Sequence, residues 1–172
     1  MTQPPRGVFV DTSAWFAILN PEDERHQIMS AAYSELLQLE TEIVTSNTVV
    51  GESFTMLRSG AKRIPDLAFQ FLATIQSTQH IQVLFVDRDL EERAYRWLIQ
   101  YRDHLLSFVD ATSFACMESY GIDAVFTLDK DFVTAGFQIY PFYLYQHLPG
   151  QGKVHEDSVQ YLKVPEGSVS MP

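Results

Sequence analysis

Four acidic residues stand where carboxylates are costly. Asp11 ends the apolar run Val8-Phe9-Val10, and Glu52 lies within Val49-Val50-Gly51-Glu52-Ser53-Phe54. Asp110 follows Phe108-Val109, and Asp129 closes Val125-Phe126-Thr127-Leu128. Each has an ordinary explanation when taken alone. Asp11, Asp110 and Asp129 suit helix caps, and Glu52 can reach solvent along the edge of an apolar face or pair with a buried arginine. Gathered at one place they imply different chemistry. Carboxylates brought together raise one another's pKa and destabilise a fold unless cations neutralise them. Mg²⁺ and Mn²⁺ are the hard ions that suit oxygen ligands and keep several waters. One such ion makes a bound water acidic and a second steadies a leaving oxygen, which is the chemistry of phosphodiester hydrolysis.

The elements that must position these acids follow from hydrophobic period and capping signals. Gly7–Val10 reads as a strand, followed by a helix through Leu19 that Thr12 or Ser13 can cap. A helical pattern runs from Glu22 to Leu39, and Glu42–Thr45 reads as a strand. Ser46 or Asn47 can cap a helix that ends near Gly60, and Pro65 to about Thr78 is a further helix. His80–Val86 is a strand, Asp87–Asp103 a charged helix with aromatic residues along it, and Val109–Tyr120 a helix closed by Gly121. Ala124–Leu128, Asp129–Ala135 and Phe137–Tyr140 read as strand, short helix and strand. Strands separated by helices predict an α/β layered domain with a mostly parallel sheet. In such a sheet, ligands bind beyond the carboxyl ends of the strands, where Asp11 and Asp129 fall. We take residues 1–142 as the domain and 143–172 as an extension in which only Val159–Val164 can form an element.

Composition bounds the remaining classes. The chain has 172 residues with 46% hydrophobic and 13% aromatic content, ordinary for a chain folding around its own core. Twelve Lys and Arg against 22 Asp and Glu give a net charge of −10, unusual for a phosphate-binding surface. Cys116 is the single cysteine, which excludes an intrachain disulfide and suits a reducing compartment. The five histidines lack zinc spacing. Residues 1–7 carry no secretion signal and no apolar run approaches membrane-spanning length, so we expect a cytoplasmic protein without a membrane partner.

Four segments in order make a resemblance specific: Val8-Phe9-Val10-Asp11-Thr12-Ser13-Ala14, Thr45 to Glu52, Leu106 to Ala115, and Thr127-Leu128-Asp129-Lys130-Asp131-Phe132 with Ala135-Gly136-Phe137. Over residues 8 to 141 the chain resembles the PIN-domain ribonucleases, and among them the VapC-type toxins of bacterial toxin–antitoxin pairs. The resemblance implies a three-layer α/β/α fold around a parallel sheet and Mg²⁺- or Mn²⁺-dependent endoribonuclease activity that leaves a 5′-phosphate and a 3′-hydroxyl. It also implies a homodimer and inhibition by a small cognate antitoxin, which the acidic net charge suggests is basic. Carried over residue by residue, it assigns Asp11, Glu52, Asp110 and Asp129 as catalytic metal ligands and adds Asp131 as a further acid. Thr12, Ser13 and Thr127 match hydroxyls that orient these acids.

Several residues remain open on sequence grounds. Arg58, Lys62 and Arg63 form the densest basic patch, beyond the Glu52 helix, and are candidate RNA contacts or plain helix-end cations. Lys130 is either a phosphate neutraliser or a surface lysine. Trp97, Tyr95 and Tyr101 read as core or dimer packing with RNA stacking as the minority use, the neighbouring arginines pairing Glu91 and Glu92. Two other functions stand beside the nuclease: a PIN-like fold kept for binding only, and a receiver domain phosphorylated on Asp87, for which the acid pair normally found at the first strand is absent.

Overall fold

The computed structural model describes residues 7–60 and 63–148. Among these residues five strands form one sheet of order β3-β2-β1-β4-β5, comprising β1 (Gly7–Val10), β2 (Glu42–Ser46), β3 (Ile81–Leu84), β4 (Ala124–Phe126) and β5 (Gln138–Ile139). Every pairing is parallel. Val8, Phe9 and Val10 of the central strand are wholly buried, as expected where helices cover both faces.

The described residues form seven α-helices: α1 (Thr12–Leu19), α2 (His26–Gln38), α3 (Asn47–Ser59), α4 (Pro65–Ser77), α5 (Arg88–Gln100), α6 (Phe108–Tyr120) and α7 (Asp131–Thr134). The chain steps from β1 outward to β3, then returns to β4 and β5. Right-handed crossovers therefore place α1–α4 on one face and α5–α7 on the other. Aromatic packing follows that division. Trp15 of α1 meets Tyr33 of α2 and Phe71 of α4, while Trp97 of α5 meets Phe114 of α6, which meets Phe132 of α7. This is the expected three-layer α/β/α arrangement.

Local boundaries differ from expectation in instructive ways. Asp11, not Thr12 or Ser13, caps α1, its side chain accepting from the Ser13 N–H. Ser107 caps α6, so Asp110 is the third helical residue rather than the cap. Helix α2 begins at His26 rather than Glu22. Asn20 and Asp23 side chains accept from the backbone N–H groups of Glu22 and Arg25, holding the intervening residues in turns. After the cis Tyr140–Pro141 bond, a 3₁₀ turn (Phe142–His147) buries Leu144 and Leu148 against the core. The Val159–Val164 element lies outside the described residues.

Candidate active site

The register puts two strand ends side by side. Val10 pairs with Phe126, so Asp11 and Thr127 leave the sheet at the same level. Between β1 and β4 the chain's winding direction reverses, which opens a crevice at the carboxyl edge of the sheet. Asp11 sits in it at 3% exposure. Its Oδ2 accepts from the Ser13 N–H (3.3 Å), the Ser13 hydroxyl (3.0 Å) and the Thr127 hydroxyl (3.0 Å). The two hydroxyls are themselves 3.0 Å apart. They also brace the neighbouring loop, Ser13 Oγ accepting from the Leu128 N–H and Thr127 Oγ1 from the Asp129 N–H, each at 2.9 Å. Burial, and then the charge of Asp110, push the Asp11 carboxyl up to about 6, against the pull of its hydrogen bonds.

The other acids arrive on three different elements. Glu52, half-buried on α3, accepts from the Thr12 hydroxyl at 2.6 Å, which ties the start of α1 to α3. Asp110 is held by a capping box: its carboxylate accepts from the Ser107 N–H at 2.7 Å while its own N–H donates to the Ser107 hydroxyl at 3.0 Å. Asp129 accepts from the Asp131 N–H at 2.8 Å, which fixes the turn into α7. Burial raises the pKa of both Asp110 and Asp129, and the charge of Asp131 adds to each; Asp129 also raises Asp110. These mutual effects place Asp11, Asp110, Asp129 and Asp131 in one electrostatic neighbourhood, with Glu52 joined to it through Thr12.

This neighbourhood is open rather than caged. Among the described residues, no three acidic, histidine or cysteine side chains stand close enough to form a ready-made cation cage. The only ion pair among them is the exposed Arg88–Glu92 pair on α5, so no basic side chain forms a salt bridge with the buried acids. Lys130 does lower the pKa of Asp129 by its charge. The donors are oxygens, partly desolvated and mutually repelling, a set whose chemistry fits a hard divalent cation.

The basic candidates divide. Arg58 lies within α3, not on the loop beyond it, and its guanidinium sits 5.2 Å from the Phe69 ring and 5.9 Å from the Phe54 ring. Arg63 is exposed, and Lys62 lies outside the described residues. Lys130 is exposed at the rim of a groove of about 570 Å³ that also contains Ser13 and Asp129. Asp87 caps α5 beyond the edge strand β3, two strands from Asp11 in the sheet. Trp97 stacks on Tyr101 and packs edge-on to Phe114, a core role.

Sequence reasoning missed a line of hydroxyls. Ser46 and Thr48 lie 2.9 Å apart, as do Thr48 and Thr112, linking the N-terminal halves of α3 and α6, the helices that carry Glu52 and Asp110. Thr45 accepts from the Trp15 indole and donates to the Val10 carbonyl, supporting the residue before Asp11. The signal for Ser107 was present as a Ser-x-x-Asp pattern ahead of an apolar helix. The long-range hydroxyl pairs carry no local pattern at all.

An all-parallel sheet in this order, with acids at the ends of β1 and β4, in the second turn of α3 and in the first turn of α6, is the architecture of a PIN domain. Residues 8–138 match the PIN domain family, and the chain belongs to it. It is 38% identical over 130 residues to the 23S rRNA-specific endonuclease VapC20 of Mycobacterium tuberculosis, strains CDC 1551 / Oshkosh and H37Rv; the match covers 76% of this chain and 95% of that protein. The crystal structure of M. tuberculosis VapC20, a sarcin–ricin loop cleaving toxin, aligns with a TM-score of 0.65 and 38% identity over 76% of this chain and 96% of that one.

Proposed function

We propose that this chain is a Mg²⁺- or Mn²⁺-dependent endoribonuclease and the toxin of a toxin–antitoxin pair. The observation that carries the reading is Asp11: a carboxylate buried at the sheet's crevice, oriented by two hydroxyls, with Asp110 near enough to resist its ionisation. Asp11, Glu52, Asp110 and Asp129 would hold the ion. Asp131 contributes charge and fixes Asp129 through its N–H. A bound divalent ion supplies an acidified water as nucleophile and charge stabilisation for the departing oxygen. The chain's own contribution is orientation. Ser13 and Thr127 keep one oxygen of Asp11 engaged, and Thr12 fixes Glu52 in the same way. No histidine is required as a base.

The specificity of the M. tuberculosis relative makes the 23S rRNA sarcin–ricin loop the first substrate to try on this chain. Arg58, Lys62, Arg63 and Lys130 are the proposed phosphate contacts. The expected partners are a basic antitoxin and a second copy of the chain, in the cytoplasm; no helix among the described residues is long and apolar enough to cross a membrane. Residues 1–142 form the proposed nuclease domain and 143–172 its extension.

The test is cleavage of 23S rRNA, or of a sarcin–ricin hairpin, by the full chain with Mn²⁺. We expect products that disappear with EDTA and in Asp11→Ala. Cleavage persisting in Asp11→Ala, or none from any RNA pool with either metal, overturns the reading.

A further inference from the structure

The groove beside Asp129 is built from four segments of chain. Ser13 and Phe16 come from α1, Asp23 and Arg25 from the turn before α2, Met56 from α3, and Leu128 to Lys130 from the loop after β4. Its apolar surface consists of the half-buried Phe16 ring, Met56 at 38% exposure and the buried Leu128. Arg25 and Lys130 add two cations to it. Neither forms an ion pair among the described residues. Asp23, the remaining acid besides Asp129, accepts from the Arg25 N–H at 2.9 Å. At about 570 Å³ the space suits a nucleotide-sized ligand.

We infer that this groove is a nucleotide subsite of the cleavage centre, in which an unpaired RNA base stacks on Phe16 against Met56 and Leu128 while Arg25 and Lys130 hold the flanking phosphates. The inference rests on the endoribonuclease reading and locates its substrate. An aromatic ring beside unpaired cations is the usual means of gripping a splayed base together with its backbone. In a chain of net charge −10, the two cations of this groove match its two acids, Asp23 and Asp129, in number. The groove is also continuous with the acid cluster: Asp129 lines it, and Ser13 both lines it and donates to Asp11. A base held here would therefore lie next to the scissile bond and bias which nucleotide is cut.

The test compares a fluorescein-labelled oligoadenylate with the same ribose-phosphate backbone lacking bases. Binding is measured in EDTA so that no cleavage occurs. Wild type should bind the base-bearing strand at least about fivefold more tightly, the lower end of stacking on an aromatic residue. Phe16→Leu should lose that preference and Phe16→Trp should keep it; melting curves identify any variant that fails to fold. Arg25→Ala and Lys130→Ala should weaken both strands alike and reduce the salt dependence. A preference unchanged in Phe16→Leu, or absent from wild type, overturns the subsite and leaves the groove to a protein partner. Cleavage in Mn²⁺ without base preference removes the subsite alone. Base preference without cleavage removes the nuclease reading alone.

Discussion

At the scale of single residues, Asp11 is held where its ionised form is least comfortable. Its pKa of about 6 lies above the ordinary 3.8, so between those values the folded protein holds a proton that the unfolded chain releases. Stability from this group is therefore complete below about pH 4, falls as pH rises to about 6, and stays low above. The gap is worth about 3 kcal/mol against the ionised native state. Asp110 and Asp129 are displaced in the same direction by their own burial. Replacing Asp11 by Asn should thus abolish RNA cleavage and yet raise the melting temperature by a few degrees at pH 7 in EDTA. It should also flatten the stability curve between pH 4 and 6. Added Mn²⁺ should raise the melting temperature of wild type by mass action and leave Asp11→Asn unmoved. Calorimetry across that pH range checks both statements; a variant less stable than wild type at pH 7 contradicts them.

At the scale of elements, the site depends on how helices begin. Asp11 caps α1, Ser46 caps the helix that carries Glu52, and Ser107 caps the helix that carries Asp110. Ser107→Ala removes a cap worth about 1 kcal/mol. It also removes the smaller of the two Ser107 hydrogen-bonding effects that hold the Asp110 pKa down, leaving the Ser107 N–H on the carboxylate. Urea denaturation should show the loss, titration calorimetry should show weaker Mn²⁺ binding, and Ser107→Thr should restore both. The elements were largely readable because the apolar runs of β1 and β4 and the Gly121 stop of α6 are local signals. What was not readable involves competition between neighbouring caps. Asp11, Thr12 and Ser13 all qualify by type, and only the pairing of Asp11 with Thr127 across the sheet decides among them. The Thr48–Thr112 contact spans 64 positions in sequence, so no period or motif announces it.

At the scale of the whole molecule, the acid-rich composition divides into a repelling cluster at the crevice and an outer surface that carries large apolar side chains. Leu105, Ile99 and Phe85 are 101%, 71% and 72% exposed. Such exposure is what a covered face would explain. Light scattering should give twice the chain mass for wild type, and Ile99→Glu combined with Leu105→Glu should give a monomer with the same melting cooperativity. A monomeric wild type refutes the dimer. The layer order was readable from strand–helix alternation, but the placement of β4 beside β1 was not, since nothing in either strand names its neighbour. That placement also affects the timing of synthesis. Asp129, on the strand end that must dock beside Asp11, leaves the ribosome 118 positions after it. If the proposed activity extends to ribosomal RNA, as in the relative, a complete site would endanger the machine translating it. On the proposed function the nascent chain would lack its complete acid cluster until most of it has been made, because Asp129 joins Asp11 only when the late strand slots in next to the first.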